Sequence, residues 1–372
     1  MRLRRTVGGV LRRITRALVR PPAIRRIVEA ALRDTSPRET ESTAATTVGM
    51  SEPATTLPAS FTDRHGSVHP LDPGIRDRLK PGWRSMCDRG TSATRPTDAA
   101  LTERARKVQT SVAEARALVA AVAGVELRGR ILEVGCYDGA VAFALARDLG
   151  VDVVASDLAR YYAVQRPDEP TAVAVEREQA ALDDLRSRAA AVAVVDMARV
   201  RFVEDDITAS TLDPGSFDAI LSFEVLEHVA DPAAAFVAMA TLLRSGGLLY
   251  HDYNPFFAAN GGHALVTLDL PWGHARLDPT DVERYLREIR PAEADQALRF
   301  YRESLNRMTR ADLRAAIDGA GLELLALVPW TQRSLAQTLD AGVSAQVRRT
   351  YPEATVDDLL GTFVAVVARK PT

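Results

Sequence analysis

The residues of this 372-residue chain that could do chemistry fall into two groups. In the first, Glu133, Gly135 and Gly139 lie in "ILEVGCYDGA", and Asp157 closes "VDVVASD". Glycines at 135 and 139 let the backbone approach a ligand without interference from Cβ, and a helix starting just after them offers free N–H groups and a positive dipole end. An acid about twenty residues beyond such a turn suits the two hydroxyls of a ribose; capping of a helix is the other reading of Asp157. Asp206, in "VRFVEDDI", stands where a carboxylate could accept from an adenine amino group, or simply belong to a solvated acidic loop. The second group is histidine: His228 in "LEHV", His251 in "YHDYNPF", His263 in "NGGH" and His274 in "PWGH". An imidazole titrates near neutrality, which suits a general base for a hydroxyl when geometry allows. For each, packing or a hydrogen bond to backbone is the plainer alternative.

The elements that must position these groups follow from periodicity. Short apolar runs at 130–134, 151–156, 200–204, 217–222 and 247–251 read as strands, and 139–148, 231–243 and 309–320 carry helical spacing. Strand and helix in alternation predict an α/β fold, a Rossmann-like, doubly wound and mostly parallel seven-stranded sheet. The closing runs "LELLALVPW" and "GTFVAVVAR" supply two more strands, expected as an antiparallel edge. In such sheets ligands sit beyond the carboxyl ends of the strands, where the strand order reverses. A nicotinamide-type G-x-G-x-x-G fingerprint fails, because Tyr137 occupies the place of its second glycine.

Around this core the chain divides by composition. Residues 1–33 form a basic segment with nine arginines before Glu29, and Leu3, Val7, Val10, Leu11, Ile14 and Leu18 share one helical face. That pattern suits peripheral contact of residues 1–28 with an anionic membrane, a solvated tail, or a transit-like peptide. Residues 34–60 are rich in Ser, Thr, Pro and Glu and read as a disordered linker. Met50 within it offers a second start. Residues 61–127 read as an N-terminal extension ending in a helix, and 128–372 as the catalytic domain, with an insertion at 254–308 expected as a cap over the acceptor. The net charge of −2 gives no general argument for nucleic acid. Two cysteines exclude a disulfide framework and a cysteine-based zinc site and are compatible with a reducing cytoplasm. No His, Asp or Glu cluster shows metal-ligand spacing along the chain, so no metal is expected.

Taken in order, "ILEVGCYDGA", "VVASD", "VRFVEDDI", "SFDAILSFEVLEHVADP" and "ATLLRSGGLLY" resemble the class I S-adenosylmethionine-dependent methyltransferases, type 11/23-like, over about residues 128–253. The resemblance implies S-adenosyl-L-methionine as cofactor. It implies Glu133 near the methionine amino group, Gly135, Cys136, Tyr137 and Gly139 in the loop, and Asp157 and Leu158 at the ribose. Asp205, Asp206 and Ile207 would line the adenine, with Ser222, Phe223 and Glu224 after the fourth strand. Tyr137 departs from the usual middle glycine, so its side chain must turn outward or over the cofactor.

The expected reaction is O-methylation of a hydroxyl on a sugar, glycan or lipid-linked acceptor, with His228, His251 or His263 as base. Tyr253, Asn254, Phe257, Trp272 and His274 are expected to bind the acceptor; the "GGH … PWGH" insertion is similar to methyltransferases of bacterial glycan and glycolipid assembly. N- or C-methylation of a small metabolite or quinone, and a non-catalytic cofactor-binding scaffold, are the alternatives. The expected location is cytoplasmic, or peripheral to the inner face of the membrane, and the oligomeric state stays open.

Overall fold

The structure is a computed structural model that describes residues 57–84, 96–163 and 171–372. The basic segment with its membrane reading, most of the expected linker, and Cys87 lie outside the described residues.

Strands β1 (Ser60–Thr62) and β2 (Val68–Pro70) form a small antiparallel hairpin. The main sheet contains β3 (Arg130–Val134), β4 (Asp152–Asp157), β5 (Val200–Glu204), β6 (Phe217–Phe223), β7 (Leu243–Tyr253), β8 (Glu323–Trp330) and β9 (Phe363–Arg369). Their order is β5-β4-β3-β6-β7-β9-β8. The first five are parallel to one another, and β9 runs antiparallel to both β7 and β8. The two closing strands form the expected antiparallel edge, with β9 seated between β7 and β8. Order reverses between β3 and β6, which puts the ligand crevice above these two strands and β4.

Successive residues of a strand point to opposite faces, and the core divides accordingly. Ile131, Val153, Ala155, Ala219 and Leu221 pack with the helices Asp98–Ala123, Ala140–Leu149 and Thr171–Ala193. Leu132, Val154, Ile220 and Leu249 face the helices Pro232–Leu242 and Arg310–Gly319 on the other side. With both faces covered, the parallel strands read as unbroken apolar runs rather than alternating ones. The Ala140–Ala146 stretch is buried all round, which is why small alanines dominate it. The extra length between Asp157 and Asp206 is resolved by the Thr171–Ala193 helix, which is the crossover between β4 and β5 and packs on the two other helices of its face.

A third core lies in the cap, and it is built from three separated segments. Phe61, Ile75, Leu79 and Trp83 from the extension join Phe256, Phe257, Trp272, Tyr285 and Phe300 from the insertion, together with Val343, Val347 and Leu359 from the chain between β8 and β9. Phe61 meets Tyr285 edge-on at 5.3 Å, and the Asp72 amide donates to the Asp269 carbonyl at 2.6 Å. The extension is thus part of the cap. The expected 254–308 boundary captured only the middle of it.

The Thr171–Ala193 helix ends on Val194, an 82% exposed β-branched residue held at φ 52. A left-handed residue with Cβ costs roughly 1–2 kcal/mol, and glycine removes that cost at a smaller loss of chain entropy. Val194→Gly is expected to raise unfolding stability by about 0.5–1 kcal/mol, measured by urea denaturation at unchanged slope.

Candidate active site

Above β3 the chain makes a tight loop. The amides of Gly135 and Cys136 both donate to the Ser156 carbonyl, at 2.8 and 3.0 Å, and the Gly139 amide donates to the Cys136 carbonyl at 2.7 Å. Gly135 and Gly139 both have φ near +75, and a Cβ on Gly139 would sit 2.6 Å from the Phe202 ring. Tyr137 occupies the left-handed region at φ 44, with its ring 41% exposed beneath the Arg104 guanidinium. Its side chain is turned outward, so the loop keeps its shape without the middle glycine. Two arginines clamp it: Arg104 is ion-paired with the buried Asp138, and Arg186 donates to the Tyr137 carbonyl at 2.9 Å and lies over Phe202.

Carboxylates ring this loop. Asp157 accepts from the Tyr137 and Leu158 amides, one on each carboxylate oxygen. Glu133 is buried and its Oε2 has no hydrogen-bond partner; burial, with Asp138 and Asp157 nearby, holds its carboxyl well above the usual range. An unpartnered buried acceptor beside a glycine loop suits a cationic ammonium. At the end of β5, Asp206 accepts from the Thr208 amide and hydroxyl at 2.9 and 2.7 Å, and Ile207 is buried beside it. Asp205 instead turns to the Thr211 amide at 2.9 Å and closes its own turn.

A second group of polar side chains gathers after β6. Glu224 (φ 55) donates its amide to the Asp252 carbonyl and carboxylate, at 2.9 and 3.1 Å. Burial pushes the Asp252 carboxyl up to about 7. The short turn Leu226–His228 is fixed by Asn306, whose amide group donates to the carbonyls of Leu226 and Val229 at 2.6 and 2.8 Å. It presents Glu227 and His228. Glu227 accepts from the Asn254 amide at 3.1 Å, and burial pushes its carboxyl up to about 8. His263 arrives opposite at φ 50, its Nε2 3.7 Å from Glu227, with its ring 5.0 Å from that of His228. The glycines before it are required by close approach: a Cβ on Gly261 would meet the Phe256 carbonyl at 2.2 Å. Leu79, Lys80 and Trp83 of the extension face Glu224, Asn254, Asn260 and His263 across a cavity of about 470 Å³.

Residues 103–327 match the family described as "Methyltransferase domain". The chain belongs to this methyltransferase family. The strand order and loop are those of its class I, S-adenosylmethionine-dependent members, and S-adenosylmethionine is the cofactor. Curated relatives include the ubiquinone biosynthesis O-methyltransferases of Xanthomonas campestris pv. campestris, 37% identical over 170 residues, and of Xanthomonas oryzae pv. oryzae, 37% identical over 178. These alignments cover 46% and 48% of this chain and 60% and 64% of the relatives, so the match spans less than two thirds of their length. Among solved structures, geranyl diphosphate C-methyltransferase from Streptomyces coelicolor, in complex with Mg2+, geranyl diphosphate and S-adenosyl-L-homocysteine, is 16% identical with a TM-score of 0.41, over 81% of this chain and 89% of that one.

Within the methyltransferase, several expected site residues lie elsewhere. His251 is not at a strand tip: β7 runs on to Tyr253, and His251 sits opposite Ser222, bonded to its Oγ at 2.7 Å and packed on Phe236. Ser222 is committed to that bond inside the sheet, and Phe223 packs on Tyr250. Phe257, Trp272 and His274 are sealed in the cap core. The Trp272 indole donates to the Leu359 carbonyl at 3.0 Å, and His274 donates to the Phe256 carbonyl at 2.7 Å. Tyr253 is 1% exposed. Of the expected acceptor residues, Asn254 alone lines the cavity. Glu227, Asn306, Arg104 and Arg186 went unnoticed in the sequence; Glu227 was adjacent to a flagged histidine, whereas the others are brought in by distant helices and loops.

Removing one charged acceptor costs about 1.5–3 kcal/mol. Asp157→Ala is therefore expected to weaken S-adenosylmethionine binding roughly 10- to 100-fold in calorimetric titration. Burial lowers the pKa of His251 to about 3 and of His274 to about 4. Both rings should stay neutral at pH 5, where a free imidazole is protonated, so their proton resonances should not move between pH 8 and 5 in an NMR titration.

Proposed function

We propose that this methyltransferase transfers the methyl group to a hydroxyl, and that the hydroxyl belongs to a phenolic, quinone-type small molecule rather than a glycan. The observation that carries the reading is the Glu227–His228–His263 cluster, which reaches the cavity wall through His263. A hydroxyl must lose its proton as it attacks, and this cluster is where that loss would be assisted. The cavity wall offers Trp83 and the Leu79 side chain for an aromatic acceptor, with Lys80 for an acidic substituent. The names of the two curated relatives above, both ubiquinone biosynthesis O-methyltransferases, support the phenolic acceptor over the sugar.

When bound, S-adenosylmethionine supplies an electrophilic methyl on a sulfonium. The chain's part is to align donor and acceptor and to exclude water. Glu133, the loop amides and Asp157 would hold the cofactor, with Asp206 and Ile207 at its base. Glu224 and Asn254 would orient the acceptor oxygen between cofactor and cluster.

The test offers the purified protein a catechol, a phenol, a sugar hydroxyl and an amine in parallel, and reads the products by mass spectrometry and NMR. The expected product is the aryl methyl ether, with turnover falling about 100-fold or more in His263→Asn, the usual scale for lost assistance to proton removal. Methylation on nitrogen or carbon, or unchanged turnover in that variant, would overturn the reading.

A further inference from the structure

Three side chains from two distant parts of the chain converge just behind the cavity wall, which one of them, His263, lines. Glu227 and His228 come from the turn after β6, and His263 from the cap. One ligand atom from each lies within 4.8 Å of the other two. Small movements would bring three such atoms onto one ion at ordinary bond lengths of about 2.0–2.2 Å.

The hydrogen bonds around them leave the right lone pairs free. His228 Nδ1 lies 2.6 Å from the Ser304 carbonyl oxygen, which can only accept. The proton is therefore on Nδ1 and the lone pair on Nε2. A histidine that donates its second nitrogen to a carbonyl is oriented as metal-bound histidines are. His263 Nε2 is buried without a hydrogen-bond partner, and so is Glu227 Oε2, on a side chain that is 0% exposed. A buried carboxylate oxygen and a buried ring nitrogen without partners are costly unless something lies between them. His263 also holds a left-handed backbone conformation that L residues seldom adopt. Glu224 stands beside this group: the Asn254 amide donates to both Glu224 and Glu227, at 3.2 and 3.4 Å.

We propose that Glu227, His228 and His263 bind a divalent first-row transition-metal ion, zinc, cobalt or manganese, with an open position toward the cavity that takes the acceptor's hydroxyl oxygen. Two imidazoles, one carboxylate and an open site form a known catalytic ligand set, and imidazole favours these ions over magnesium or calcium. The expectation from spacing along the chain that there is no metal cluster is corrected by the fold, which brings His263 across from the cap. The role of the ion rests on the O-methyl reading above. Its charge lowers the pKa of the bound hydroxyl, whose proton leaves to solvent. The oxygen then donates a lone pair to the methyl carbon to form the new bond while the carbon–sulfur bond breaks, and the pair of that broken bond stays on sulfur, leaving a neutral thioether. The cluster would thus act through the ion, and no free imidazole need take the proton.

Cobalt(II) is the probe, because its visible absorption reports coordination with neither cofactor nor acceptor present. The metal-stripped protein is expected to bind one cobalt per chain, displaced by zinc. His263→Asn keeps a residue tolerant of the left-handed backbone, and Glu227→Gln keeps the acceptor for the Asn254 amide. Each is expected to weaken cobalt binding at least 10-fold while circular dichroism and S-adenosylmethionine binding are retained. Asp157→Ala should lose cofactor affinity and keep the cobalt spectrum. Absence of saturable cobalt or zinc binding by the wild type would overturn the proposal, as would equal affinity in both cluster variants. Cobalt binding lost in those variants, in a protein that methylates no hydroxyl, would establish the metal site and retire the O-methyl reading alone.

Discussion

A carboxylate removed from water needs donors or a counter-charge, and Glu227 is where that constraint organises the molecule. Its side chain is sealed beneath the cap, with the Asn254 amide on one side and His263 on the other. To satisfy it, the exit of β7 must lie against the turn that follows β6, and the cap must fold back far enough to deliver His263. Asn306 holds that turn from the far end of the insertion, so the same few residues join the sheet to the cap. The cavity is the space left between them.

The cofactor half is governed by a different requirement, the reversal of strand order between β3 and β6. Reversal opens a crevice that the glycine loop and Asp157 line. Here the departure at Tyr137 is absorbed locally: the residue takes the left-handed conformation, its ring leaves the crevice, and Arg104 and Arg186 secure the loop from the neighbouring helices. The long crossover helix Thr171–Ala193 is the element that supplies Arg186. Its extra length over a minimal strand–helix–strand unit therefore has a structural use.

The cap shows how one core can be assembled from pieces that look unrelated in sequence. The extension contributes a hairpin and Trp83, the insertion contributes most of the aromatic residues, and the segment before β9 closes the far side. Aromatic side chains that suggest an acceptor pocket when read in order are instead what holds these pieces together. Burying an indole requires a partner for its N–H, and Trp272 finds one in the Leu359 carbonyl. The wall of the 470 Å³ cavity is lined instead by Leu79, Lys80, Trp83, Asn254 and Asn260, with Glu224 and His263.

The sheet and the cofactor loop were legible in the sequence because they depend on local signals. Apolar runs such as Ile131–Val134 make strands, Gly135 and Gly139 mark a turn, and Asp157 ends a strand whatever surrounds it. The type 11/23-like methyltransferase resemblance was legible for the same reason, since its motifs are short and ordered. The acceptor side was not legible, because what a histidine does there depends on where distant backbone places it. His251 and His263 look alike in sequence. A strand two residues longer than its apolar run puts the first inside the sheet, opposite Ser222, while two crowded glycines and a folded cap set the second beside Glu227. Strand length and cap closure are set by packing across the whole domain, so only the tertiary structure could decide between them.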